Sequence, residues 1–153
     1  MVSRFERFSY AIFQITRYWH KITSDEMAQY GLKGPHAVYL IALSHHPEGV
    51  AAARLCGLCG KDKSDVSRAV ALMEQHGMLV REGVAGNMYR AKLKLTQKGL
   101  AAAQQVSERA ALAVEMAGES LSETQRTVLY DALEQIASNL RTISESGLPH
   151  QQG

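Results

Sequence analysis

Ser64, Ser67 and Arg68 fall within a short stretch of chain, and their side chains are suited to reading a surface rather than to breaking bonds. Residues three and four apart share a helix face. Short hydroxyls let a backbone come close to a nucleic-acid groove, and a guanidinium can make two hydrogen bonds to one guanine edge. Asp65 can accept from a cytosine amino group, but a carboxylate there also favours a helix N-terminus, a role at least as well supported. Lys61, Lys63, Arg81, Arg90, Lys92 and Lys94 surround this run. Each is a candidate for phosphate contact, and each is equally a candidate for idle surface charge. Residues 54–98 carry nine basic and four acidic side chains, a net of +5, while the remainder carries eight and eleven, a net of −3. A basic middle between acidic flanks suits a polyanionic partner.

Nothing comparable points to bond-making chemistry. A Gly-rich phosphate loop, a nucleophile elbow and a metal-binding His motif are all missing from the sequence. Neither an enzyme, a metal nor a cofactor is therefore expected. Cys56 and Cys59 form a C-x-x-C, but a structural zinc site normally takes four ligands and no second Cys pair exists. A disulfide across one helical turn is geometrically poor, so two inert thiols are expected. No apolar run approaches the ~20 residues needed to span a bilayer. The N-terminal residues mix charge with aromatics and lack a signal-peptide core. A cytoplasmic protein with no membrane partner is the expectation.

Periodicity supplies the elements that must position these residues. Phe5, Phe8, Ile12, Ile15, Trp19 and Ile22 recur at three- and four-residue steps, which predicts one long helix ending near Tyr30-Gly31, with a possible extra turn from Ser24 or Asp25. Gly34-Pro35 opens a second, largely apolar helix that His46-Pro47-Glu48-Gly49 stops. A short third helix covers residues 51–58, and Gly60-Lys61 turns the chain. Asp62 caps the fourth helix, whose apolar stripe is Val66, Ala69, Val70 and Met73 and whose outward side carries Ser64, Asp65, Ser67, Arg68 and Ala71. The period then changes to two. Residues 78–82 form a candidate strand, residues 83–87 a turn, and residues 88–96 a strand with Tyr89, Ala91, Leu93 and Leu95 on one face and Met88, Arg90, Lys92 and Lys94 on the other. Thr96 caps a fifth helix ending near Gly118. Ser122 and Gln125 make a capping box for the last helix, with Leu129, Leu133, Ile136, Leu140 and Ile143 in its stripe.

The third and fourth helices, joined by a tight Gly-containing turn, have helix-turn-helix proportions, and a cationic hairpin follows directly. An ordinary antiparallel helix pair is the plainer reading, and the hairpin argues against it. The apolar stripes at both ends of the chain exceed what a compact hairpin-bearing domain can cover, which predicts a homodimer. Two-fold symmetry would set two reading helices about 34–36 Å apart along palindromic double-stranded DNA. A helical protein-interaction module that does not bind DNA is the alternative. Added salt separates the two, because phosphate contacts weaken steeply with it and an apolar interface does not.

Four stretches carry a resemblance to the MarR family of transcription regulators. They are Leu32-Lys33-Gly34-Pro35-His36-Ala37-Val38-Tyr39-Leu40, Lys61-Asp62-Lys63-Ser64-Asp65-Val66-Ser67-Arg68-Ala69-Val70, His76-Gly77-Met78-Leu79-Val80 and Leu93-Lys94-Leu95-Thr96-Gln97-Lys98-Gly99. The resemblance implies a mainly α fold with a small β-hairpin wing: a winged helix-turn-helix flanked by N- and C-terminal dimerisation helices. It implies a single domain over residues 1–153, with dimerisation helices at 1–30 and 97–146, the winged helix-turn-helix at 35–96 and a disordered tail at 147–153. It also implies a repressor released from its operator by a small aromatic or phenolic ligand bound between the first two helices and the wing domain. Phe13, Arg17, Trp19, His20, His36 and Tyr39 are the residues in this sequence that such a ligand would meet, although each is also an ordinary surface or interface residue. Many members carry Asp-x-Arg in the wing. Here Asn87-Met88-Tyr89 precedes Arg90, so the Arg is displaced by one residue and, by strand alternation, onto the opposite face. The family's peroxide sensors place a reactive Cys on the first helix, and this first helix has none.

Overall fold

A computed structural model describes residues 1–83 and 90–150. Six α-helices and a three-stranded sheet follow in the order α1 (Arg4–Ala28), a 3-10 turn (Gly34–His36), α2 (Ala37–Ser44), β1 (Val50–Ala51), α3 (Ala52–Cys59), α4 (Lys63–Gln75), β2 (Leu79–Glu82), β3 (Lys92–Leu95), α5 (Gln97–Ala117) and α6 (Glu123–Ser146). The chain divides into two compact units, Met1–Ala111 and Leu112–Gly153. No helix among the described residues is long and apolar enough to cross a membrane.

The first unit closes a core around α2, α3, α4 and the sheet. Met27, Tyr39, Leu40, Leu43, Leu55, Val66, Ala69, Val70, Met73, Met78, Leu93, Ala102, Ala103 and Val106 are all buried. Each large apolar side chain so removed from water contributes about 1.5–3 kcal/mol. The sheet order is β1-β3-β2, antiparallel throughout, with Val50 opposite Leu93 and Leu79 opposite Leu95. The expected alternation appears along β3: Ala91 and Leu93 are buried while Lys92 is exposed. The fifth helix starts where Thr96 Oγ1 accepts from the Gly99 N–H at 3.1 Å. Gly99 lies so close to the Met78 carbonyl that any side chain would collide with backbone.

Several boundaries differ from the sequence expectation. Ser24 and Asp25 start no separate turn; α1 runs unbroken to Ala28, its first turn fixed by a Ser3–Glu6 capping box. Gly34-Pro35 opens a 3-10 turn, and regular α-helix begins only at Ala37. The third helix begins at Ala52 because Val50 and Ala51 pair with β3 instead. The turn expected at 83–87 and the start of the strand expected at 88–96 fall largely outside the described residues, as do residues 151–153 of the tail.

In the second unit, α6 carries the expected Ser122–Gln125 capping box. Arg126 closes the turn before it, pairing with Glu115 at 2.5 Å and donating to the Gly118 carbonyl at 2.8 Å. No residue of α6 is buried, and Val128, Leu129, Tyr130, Leu133, Leu140 and Ile143 are exposed. The α1 stripe is similar, with Phe5, Phe8, Ile12, Ile15 and Ile22 open to solvent.

Candidate nucleic-acid interface

The turn between α3 and α4 depends on Gly60, whose φ of 61° is left-handed and which lets the Lys61 N–H return to the Cys56 carbonyl at 3.1 Å. Asp62 then starts α4, its carboxylate accepting from the Asp65 N–H at 2.8 Å. Val66, Ala69, Val70 and Met73 anchor the helix in the core. That anchoring leaves Ser64, Ser67 and Arg68 exposed along the opposite side, as their spacing predicts.

Asp65 departs from this outward set. It is half-buried, and its Oδ2 accepts a 2.7 Å hydrogen bond from the Tyr39 hydroxyl. Its other oxygen lies 3.4 Å from an Arg68 Nη2. The Tyr39 hydrogen bond, followed by the Arg68 charge, holds the Asp65 carboxyl below the usual carboxylate value. Tyr39 titrates well above an ordinary tyrosine, chiefly through burial and then through the same bond. Asp65 therefore faces α2 and Arg68 rather than an open groove.

The basic side chains fall into two groups. Lys61, Lys63, Arg90 and Lys92 are exposed. Arg81 instead pairs with Glu74 at 2.8 Å, and Lys94 with Glu82 at 3.1 Å, so both carry a local counter-charge. Asn87, Met88 and Tyr89, where the sequence departs from the usual wing pattern, lie outside the described residues.

The six residues expected around a ligand do not converge. Phe13, Arg17 and His20 are exposed on α1, and Trp19 is half-buried. His36 and Tyr39 belong to the core, 7% and 0% exposed, with ring centroids 6.2 Å apart. The His36 Nδ1 has no hydrogen-bond partner among the described residues, and burial, helped by Lys33, pushes its pKa down. Tyr39 thus fills the interior instead of walling a cleft. A cavity of about 620 Å³ opens elsewhere, between α3, α4 and the hairpin. Ala52, Cys56, Val66 and Leu93 make its apolar side, and Lys63, Ser67 and Arg81 supply the polar groups. Sequence periodicity gave no signal for it, because three separate elements must meet to form it.

Cys56 and Cys59 are free and half-buried, and burial raises the Cys59 thiol above its usual value. Among the described residues, no group of three or more His, Cys, Asp or Glu side chains is placed to hold a metal.

A capped outward helix, a tight left-handed turn before it and an antiparallel hairpin after it define a winged helix-turn-helix protein. Residues 30–87 match the family model described as MarR family. Solved structures agree in fold across almost the whole chain. A MarR transcriptional regulator from Methanosarcina mazei Go1 superposes with a TM-score of 0.77 at 22% identity, covering 90% of this chain and 99% of that one. A MarR protein from Peptoclostridium difficile gives a TM-score of 0.80 at 15% identity, covering 93% and 94%. A putative MarR family regulator from Listeria monocytogenes, solved with a 26mer DNA, gives 0.76 at 19%, covering 99% of each chain. Among curated proteins, none matches the sequence. Over residues 30–87 the chain is similar to the MarR family, and over nearly its whole length it shares the fold of these regulators.

Proposed function

We propose that this protein is a homodimeric repressor that reads a palindromic duplex with α4 and leaves it when a small aromatic or phenolic acid binds. The observation that carries the reading is the outer side of α4: Ser64, Ser67 and Arg68 stand exposed on a helix held from behind by four buried apolar side chains. Arg68 is the guanine reader, and Ser64 and Ser67 contact neighbouring base edges. Lys61, Lys63, Arg90 and Lys92 neutralise phosphates, with Arg81 and Lys94 contributing less because each already faces a carboxylate. The Listeria relative solved with DNA supports duplex DNA as the partner. The exposed stripes on α1 and α6 support a second copy as the cover for both helices.

The cavity behind α4 suits the effector better than the α1–α2 cleft expected from the sequence. It offers an apolar wall with Lys63, and with Arg81, whose pairing with Glu74 uses only Nε, to meet a carboxylate, as ligand sites of this kind require. A ligand there would engage Lys63 and Ser67, two residues assigned above to DNA, so binding of the two partners would be antagonistic. Fluorescence anisotropy on duplexes selected by the protein from a random pool tests the DNA reading. Affinity should fall with added salt at a log–log slope of about −0.9 for each phosphate contacted. A flat salt response would favour a protein-interaction module instead. Benzoate and hydroxycinnamate should raise the melting temperature of the free protein and lower its DNA affinity, and Arg81→Ala should abolish both effects.

A further inference from the structure

Beside the α4 face proposed to meet a polyanion lies a carboxylate, and a carboxylate there opposes binding unless something restrains it. Asp65 is restrained. Tyr39 on α2 is wholly buried in the core, and its one side-chain polar atom donates to Asp65 Oδ2 at 2.7 Å. The Asp65 N–H is held by Asp62 at 2.8 Å, so the carboxylate is fixed at both its backbone and its tip. Its second oxygen lies one turn from Arg68, 3.4 Å from Nη2, while the Arg68 side chain remains 70% exposed.

We propose that Tyr39 is a positioning residue for base recognition: by holding Asp65, it fixes the guanidinium of Arg68 in the direction needed to meet a base edge. The proposal rests on the reading that α4 enters the DNA groove. Asp65 is accordingly the anchor of the reader and touches no base. The ion pair to Arg68 is loose and uses one guanidinium nitrogen, which leaves the remaining N–H donors of the fork for two hydrogen bonds to guanine. Without the hydroxyl, the Asp65 carboxylate is free to swing outward. It would then meet the guanidinium in a close bidentate pair, occupying the donors the base needs, or approach the phosphates and repel them. Packing alone does not explain the hydroxyl, because phenylalanine would fill the same interior volume without carrying a polar atom into it. The hydroxyl makes the buried core of α2 part of the reading apparatus on α4.

The test is a mutant cycle read as discrimination: affinity for a selected duplex divided by affinity for the same duplex with one half-site guanine replaced. Tyr39→Phe keeps the ring and should lower that ratio about three- to tenfold. The double variant with Arg68→Ala should show no further loss beyond Arg68→Ala alone, because Tyr39 acts through Arg68. Asp65→Ala should lower the ratio as well, while raising affinity for non-specific duplexes, since it removes a negative charge from the DNA face. A purely structural role would weaken specific and non-specific binding together. Retained discrimination in Tyr39→Phe alongside lost discrimination in Arg68→Ala would overturn this proposal and leave the DNA reading intact. Retained discrimination in Arg68→Ala would overturn the reading itself. If Tyr39→Phe fails to fold, Asp65→Ala decides, and an unaltered ratio in that variant refutes the proposal.

Discussion

The middle of the chain and its two terminal helices carry the same kind of apolar periodicity and put it to opposite uses. In α4, Val66, Ala69, Val70 and Met73 recur at helical spacing and are buried within the chain. In α1 and α6, Phe5, Phe8, Ile12 and Ile15, then Leu129, Leu133, Leu140 and Ile143, recur just as regularly and remain exposed. Periodicity states that a face must leave water; it does not say which molecule covers it. The winged helix-turn-helix closes its core with Met27 of α1 and Ala102, Ala103 and Val106 of α5, whereas the outer stripes of α1 and α6 stay open, the surface that the proposed second copy would cover.

The largest effect should come from breaking the second kind of surface. Leu133→Lys with Leu140→Lys should abolish dimers in sedimentation equilibrium. Each leucine forfeits about 1.5–3 kcal/mol of burial in each subunit, and the lysines add a desolvation cost. A folded dimer with full DNA affinity would disprove the proposed architecture. Substitutions in the middle should behave differently. Leu40→Ala should cost about 2–5 kcal/mol, independent of protein concentration, in urea unfolding of a monomeric background. Gly99→Ala should cost at least the ~1–3 kcal/mol typical of overpacking, because the Met78 carbonyl leaves no space for a methyl group.

The contrast also explains what could be read from sequence alone. Asp62 as the cap, the α4 stripe, the Ser122–Gln125 box and the alternation at Ala91, Lys92 and Leu93 were legible because each is a local pattern with a local physical cause. Strand β1 was not, since two residues have no period and Val50 and Ala51 are extended only because β3 lies beside them. Tyr39 and Asp65 are 26 positions apart, and nothing in either segment announces the hydrogen bond that joins them. His36 and Tyr39 looked like cleft residues because a polar ring at a helix start is ambiguous until burial is known. The cavity lined by Lys63, Ser67 and Arg81 is a property of assembly, so no single stretch of sequence contains it.

At the DNA face, Arg68→Ala should remove about 1–3 kcal/mol of discrimination at one base position per half-site. Lys92→Ala should weaken all duplexes alike and reduce the salt slope by about one contact per subunit. Anisotropy titrations at several salt concentrations separate the two behaviours. If Lys92→Ala altered base preference and Arg68→Ala did not, reader and anchor would exchange places.

The smallest effect is a pH dependence centred on the core of the first unit. His36 is 7% exposed and its Nδ1 lacks a partner among the described residues, so the fold favours its neutral form. Burial is the main cause, the Lys33 charge adds to it, and Asp65 opposes both. The folded-state pKa therefore lies below the ordinary histidine value of 6.5. As pH falls through that value, the unfolded chain takes up a proton that the folded chain refuses. The unfolded state then binds more protons, and stability declines with decreasing pH until the folded pKa is reached. Replacing His36 with Gln removes the titrating group, so the variant should lose less melting temperature than the wild type between about pH 7 and pH 5. Because the terminal helices contain no buried histidine among the described residues, the difference should persist across a dilution series. Parallel pH profiles for the two proteins would mean that His36 is not held neutral by the core. A difference that vanished on dilution would move its origin from the core to the subunit interface.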